Sequence, residues 1–124
     1  MNTPPRLLVV DDSRTSRLMI RKIVESLRPD WLITEAASGD ESLVMVKEQQ
    51  PDFVSMDVNM PGISGLEAAG HIRLHYPDIR LVLCTANVQE SVQTAAARAG
   101  VHFVSKPITP VSVAKAISYF EENH

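Results

Sequence analysis

Apolar residues along this chain fall into two alternating kinds of run. Short solid runs, such as residues 7–10 and 81–84, are separated by longer stretches whose apolar positions recur three and four apart. Met19, Ile20, Ile23, Val24 and Leu27 make one such stripe, and Val113, Ala114, Ile117 and Phe120 make another. The solid runs read as strands and the stripes as helices with one buried face. Strands are predicted over 7–11, 32–37, 53–57, 81–85 and 101–105. Most of them do not alternate with polar residues. Strands covered on both faces have this composition, and crossover helices of a parallel sheet cover both faces.

Punctuation agrees with this alternation. Pro29-Asp30, Pro51-Asp52 and Pro77-Asp78 each follow a helix-like stretch and precede an apolar run. Proline lacks the N–H and clashes with the preceding turn, so each pair ends a helix. Ser38 with Glu41 has capping-box spacing, Thr109-Pro110 suits an N-cap followed by proline in the first helical position, and Gly100 suits a left-handed helix end. Alternating strands and helices imply an α/β doubly wound, five-stranded parallel sheet with helices on both faces and right-handed crossovers. Residues 1–124 read as one domain with a short polar tail over 1–5, and no linker or output domain is expected after the last helix.

Composition and charge narrow the possible functions. With 44% hydrophobic and 22% charged residues the chain is ordinary globular material, neither fibrous nor disordered. Twelve Lys and Arg against fifteen Asp and Glu leave a net charge of −3, which disfavours direct binding to a nucleic-acid backbone. The single cysteine, Cys84, allows no internal disulfide. Neither a leader nor an apolar run of membrane-spanning length is present, so a cytoplasmic protein is expected.

In an open α/β sheet, ligands bind outside the carboxyl ends of the strands. Those ends are unusually polar here: Asp11-Asp12 after the first run, Asp57 after the third, Thr85 after the fourth and Lys106 after the fifth. Each residue taken singly also suits a plainer role, the aspartates as turn or capping residues, Thr85 as a strand residue and Lys106 as a surface charge. Their convergence on one rim is what carries the signal. Two carboxylates about 4 Å apart repel by about 4 kcal/mol at an effective dielectric of about 20, so three together call for a cation. Hard oxygen donors without a Cys or His set favour Mg²⁺ or Mn²⁺ over zinc. Such an ion beside a carboxylate suits attack on phosphorus, with Lys106 neutralising the oxygens of the transferring group. Asp57, between the Asp11-Asp12 pair and the Thr85 and Lys106 side, is best placed to attack.

Together, Asp11-Asp12, the segment Met56-Asp57-Val58-Asn59-Met60-Pro61-Gly62, Thr85-Ala86 and Lys106-Pro107 resemble the response-regulator receiver domain of two-component signalling, as in stand-alone chemotaxis-type regulators. The resemblance covers nearly the whole chain. It implies a flavodoxin-like strand order of 2-1-3-4-5. Asp57 would accept a phosphoryl group from a phosphohistidine on a sensor histidine kinase or phosphotransfer protein. Asp12, Asp57 and the backbone carbonyl of Asn59 would ligate Mg²⁺, with Asp11 acting mainly through a water. Lys106 would bind a phosphoryl oxygen, and its bond to Pro107 would be cis. Thr85 would swing toward the phosphoryl group and draw Phe103 inward, altering the face made by the helix over 89–99, the fifth strand and the last helix. That altered face would be read by a downstream partner protein. Asn59 and Asn87 fall where the family tunes dephosphorylation, and Ala86 leaves room for a donor.

Other readings carry their own discriminants. A phosphorelay shuttle, returning the phosphoryl group to a phosphotransfer histidine, needs the same five residues. An aspartyl-nucleophile phosphatase needs an acid two residues after the nucleophile, where this chain has Asn59. A flavin or nucleotide module needs a phosphate loop after the first strand, where Asp11-Asp12 would repel the ligand. His71 and His75 share a helix face but lack a third ligand, and Cys84 suits the core. The 89–99 stretch carries only Glu90 and Arg98 as charges, so a monomer is expected.

Overall fold

The computed structural model describes residues 3–85, 94, 97, 98, 101–106 and 108–122, with the Thr85 side chain outside that set. The elements run β1 Arg6–Val10, α1 Arg14–Leu27, β2 Leu32–Ala36, α2 Gly39–Gln49, β3 Phe53–Met56, α3 Gly65–His75, β4 Arg80–Thr85, β5 His102–Ser105 and α4 Pro110–Glu121. All strand pairs are parallel, and the order is β2-β1-β3-β4-β5. This is the doubly wound sheet and the strand order expected from the sequence. The stretch expected to hold the helix over 89–99 lies mostly outside the described residues, as do Ala86, Asn87, Gly100 and Pro107.

Alternation along the strands, hidden in the sequence because both kinds of position are apolar, sorts the core into two layers. Leu8, Val10, Val54, Met56, Leu81 and Leu83 pack with Val46 of α2 and Ala68, Ala69 and Ile72 of α3. Leu7, Val9, Phe53, Val82 and Val104 pack with Ile20 and Val24 of α1 and Val113, Ile117 and Phe120 of α4. Trp31 packs tilted against Phe53, and Phe53 stacks on Phe120, with ring centroids 5.0 and 4.8 Å apart, near the amino ends of the strands. None of the described helices is long and apolar enough to cross a membrane.

Hydroxyl side chains start every described helix: Ser13, Ser38, Ser64 and Thr109 accept from the N–H of Ser16, Glu41, Glu67 and Ser112. Thr109 forms a complete capping box with Ser112 and has Pro110 inside the first turn, as expected. The Ser38 pattern differs in one bond. Glu41 reaches past the cap and accepts from the Ala37 N–H at 3.0 Å. β1 and β3 each stop one residue short of the predicted ends. Even so, the Asp11 N–H still donates to Ala36 and the Asp57 N–H to Val10, at 3.1 and 2.9 Å. The ladder therefore holds both aspartate backbones while their side chains leave the strand pattern.

Candidate functional site

The register brings the polar strand ends level. Val10 pairs with both Ala36 and Met56, Met56 with Leu83, and Thr85 with Ser105. Asp11, Asp57 and Lys106 thus emerge from the carboxyl ends of β1, β3 and β5 along one edge of the sheet. Asp11 and Asp57 are buried, 2% and 7% exposed, whereas Asp12 is exposed. Each of these three aspartates offers an oxygen within 4.8 Å of the others. Among the described residues this is the one group of three or more His, Cys, Asp or Glu side chains close enough to share an ion.

Asp11 carries two duties, and so joins the plainer and the chemical readings of its sequence position. Its Oδ1 accepts from the Ser13 N–H at 2.8 Å, fixing the turn into α1. Its Oδ2 accepts from Lys106 Nζ at 3.0 Å, while the same Nζ stands 3.7 Å from Asp57 Oδ1. The ammonium is thus closer to Asp11 than to Asp57. Asp11 is the more deeply buried of the two, and a buried carboxylate needs the nearer counter-charge. Burial and the negative charge of Asp11 raise the Asp57 carboxyl above its ordinary pKa, against the pull of Lys106 and the Val58 N–H. Burial disfavours the Lys106 ammonium, but the hydrogen bond and charge of Asp11 and the charge of Asp57 outweigh it and raise its pKa. Three carboxylates face one ammonium. The donor set is hard oxygen, crowded and under-compensated, which fits a small divalent cation.

Of the remaining predicted residues, Asn59 is exposed in the loop two positions after Asp57, and Thr85 ends β4. Phe103 is half-buried in β5 against the α2 and α3 layer. Cys84 packs beside Leu7, Ser55, Ile117 and Phe120, and burial pushes its thiol up to about 11, so it is protonated and unreactive at neutral pH. His71 and His75 stand with rings 4.3 Å apart on the exposed side of α3.

Two supports of the site escaped the sequence reading. Gly65, the first residue of α3, donates its N–H to Val58 at 3.0 Å, and a Cβ there would lie 1.9 Å from the Asp57 carbonyl oxygen. The helix can approach the Asp57 backbone only because this residue has no side chain. Its sequence signal, Ser64-Gly65 opening a helix, is indistinguishable from an ordinary cap. The second support is Arg17. Its Nη1 donates to the Asp11 carbonyl at 2.6 Å and its Nε to Glu35 at 2.9 Å. Arg21 joins Glu35 at 2.6 Å. No spacing rule links α1 to a glutamate on β2.

Comparison with known proteins matches the same frame. The family profile of the response regulator receiver domain matches residues 7–118. The chain is 36% identical over 115 residues to protein CcdB of Bacillus subtilis, covering 91% of this chain and 94% of that one. It is 32% identical over 114 residues to the chemotaxis protein CheY of Thermotoga maritima, with the same two shares. The fold superposes on the chemotaxis response regulator CheY4 of Vibrio cholerae with a TM-score of 0.85 at 24% identity, covering 95% and 99% of the two chains. With a sheet, a clustered acidic edge and a family match over nearly all its length, the chain belongs to the response regulator receiver domain family.

Proposed function

We propose that this receiver domain accepts a phosphoryl group on Asp57 from a phosphohistidine of a sensor histidine kinase or phosphotransfer protein, and signals to a partner protein by a change of surface. The observation that supports this most directly is the joint placement of Lys106 Nζ, 3.0 Å from Asp11 and 3.7 Å from Asp57, with three carboxylates gathered beside it. Asp57 is the acceptor in this reading because it follows β3, which lies in the sheet between β1, followed by the Asp11-Asp12 pair, and β4 and β5, whose ends bring Thr85 and Lys106. Its Oδ forms the new bond to phosphorus as the bond from phosphorus to the donor nitrogen breaks. Lys106 stays within reach of the oxygens of the transferred group, so its ammonium meets charge where charge accumulates. Asp11, held by Ser13 and Lys106, keeps that ammonium aimed at the acceptor. Asp12, Asp57 and the Asn59 carbonyl would hold Mg²⁺, with Asp11 behind them through a water. When bound, the ion neutralises the carboxylates and the incoming phosphoryl oxygens. Thr85, at the end of β4, would respond to the new group, and the half-buried Phe103 would move inward with it. Such a change shifts a two-state equilibrium and needs no second domain.

Incubation with acetyl phosphate and Mg²⁺, followed by mass spectrometry, tests the assignment. One phosphoryl group on Asp57 is expected, absent in Asp57→Ala and in excess EDTA. A modification that persists in either control removes the proposal.

A further inference from the structure

We propose that a cavity at the amino end of β4, at the opposite end of the strand from the acidic edge, binds a small oxyanion of the phosphate class. The cavity measures about 350 Å³ and is lined by Arg73, Pro77, Asp78, Ile79, Arg80 and Tyr119. Arg73 reaches it from the last turn of α3, and Arg80 is the first residue of β4. Arg73 Nη1 makes one long bond to the Pro77 carbonyl at 3.4 Å. Its Nε is buried and has no partner, the one such side-chain atom among the described residues. Arg80 spends Nη1 on the carbonyls of Phe120 and Glu122, both at 2.5 Å. No ion pair among the described residues involves either guanidinium, and Asp78 shares the cavity without pairing to them.

That Nε is closed to solvent and does not itself meet an ion in the cavity; what the cavity offers an ion is the charge of the two guanidinium groups that line it. Two uncompensated guanidinium forks on one cavity supply planar, charged donors that match an oxyanion bearing several acceptors. Chloride offers no such geometry. Arg80 also ties the end of α4 to the sheet, so an anion drawn to it would be felt at residues 120–122.

Two-dimensional NMR of the arginine Nε–H and backbone amide signals tests this in EDTA, where the acidic edge repels phosphate. Inorganic phosphate is titrated at constant ionic strength, with sodium chloride and sodium acetate as parallel arms. Saturable movement of the Arg73 Nε–H and the 120–122 amides is expected, with a Kd on the order of 1 mM and no saturation by chloride. Arg73→Gln, shown folded by its amide spectrum, should abolish saturation. Arg73→Lys, which keeps the charge but loses the fork, should weaken binding about five-fold. Asp78→Asn removes a competing carboxylate and should tighten binding about three-fold. Linear shifts in the parent protein, saturation surviving Arg73→Gln, or equal saturation by acetate would each overturn the assignment.

Discussion

Gly65 and Gly70 sit five residues apart on α3, yet substitution should affect them in opposite directions. A methyl group at 65 would overlap the Asp57 carbonyl, while at 70 nothing lies within 4 Å. Gly65→Ala should therefore cost about 2 kcal/mol or more, through displacement of α3 from the loop after Asp57. Gly70→Ala should add about 0.5–1 kcal/mol, as alanine does in a helix interior. Urea unfolding of the two variants measures both. The acidic residues make a second prediction at this scale. Because the folded state raises the Asp57 pKa, it holds that proton more tightly than the unfolded chain. The metal-free protein thus loses stability as pH rises from the unfolded value near 3.8 through the raised one, and charged Asp57 is a burden at neutral pH. Asp57→Asn should stabilise the metal-free protein by on the order of 1 kcal/mol at pH 7, and by less at pH 4. An equal gain at both pH values would contradict the electrostatic cause.

Between elements, the ties that matter join α1 to β2 and begin α4. Burial alone would raise the Glu35 pKa, but the hydrogen bonds from Arg21 and Arg17 outweigh it and hold the carboxyl below its ordinary value of 4.5. That contribution is present above the unfolded value and is lost as pH falls through the lowered one. Glu35→Gln should therefore reduce the melting temperature at pH 7, and the difference from the parent should shrink as pH falls below 4.5 through the lowered value, as scanning calorimetry across pH can show. At the start of α4, Thr109→Ala removes the cap and half of the box with Ser112. A loss of about 1 kcal/mol is expected, and Thr109→Asn should restore most of it. Both positions were readable to different degrees. Thr109-Pro110 announced itself through local chemistry, because a cap serves N–H groups only three residues away. The bond from Arg17 to Glu35 did not, because its partners are brought together by packing.

For the whole molecule, the acidic edge concentrates repulsion that a divalent cation relieves. Adding Mg²⁺ should raise the melting temperature of the parent protein in a concentration-dependent way, because a ligand bound by the folded state alone stabilises it by mass action. Asp57→Asn, starting from a higher value, should respond less to Mg²⁺, and excess EDTA, which chelates Mg²⁺, should return the parent to its metal-free value. A thermal shift insensitive to Mg²⁺ over the millimolar range would separate the acidic edge from metal binding. This response belongs to the assembled sheet, since β1 and β3 each supply part of the site.

Runs, stripes and proline pairs in the sequence were enough to specify a parallel α/β sheet, because burial on both faces leaves few polar residues in a strand and helix ends are marked locally. The convergence of Asp11, Asp12, Asp57 and Lys106 could also be read in advance, since a parallel sheet places the carboxyl ends of all its strands along one edge. Three things emerged only in three dimensions: the preference of Lys106 for Asp11, the approach of Gly65 to the Asp57 carbonyl, and the cavity shared by Arg73 and Arg80. Each depends on distances of a few ångströms between segments remote in the chain. Apolar patterning fixes which segments are buried, but only close packing decides which neighbour each residue touches.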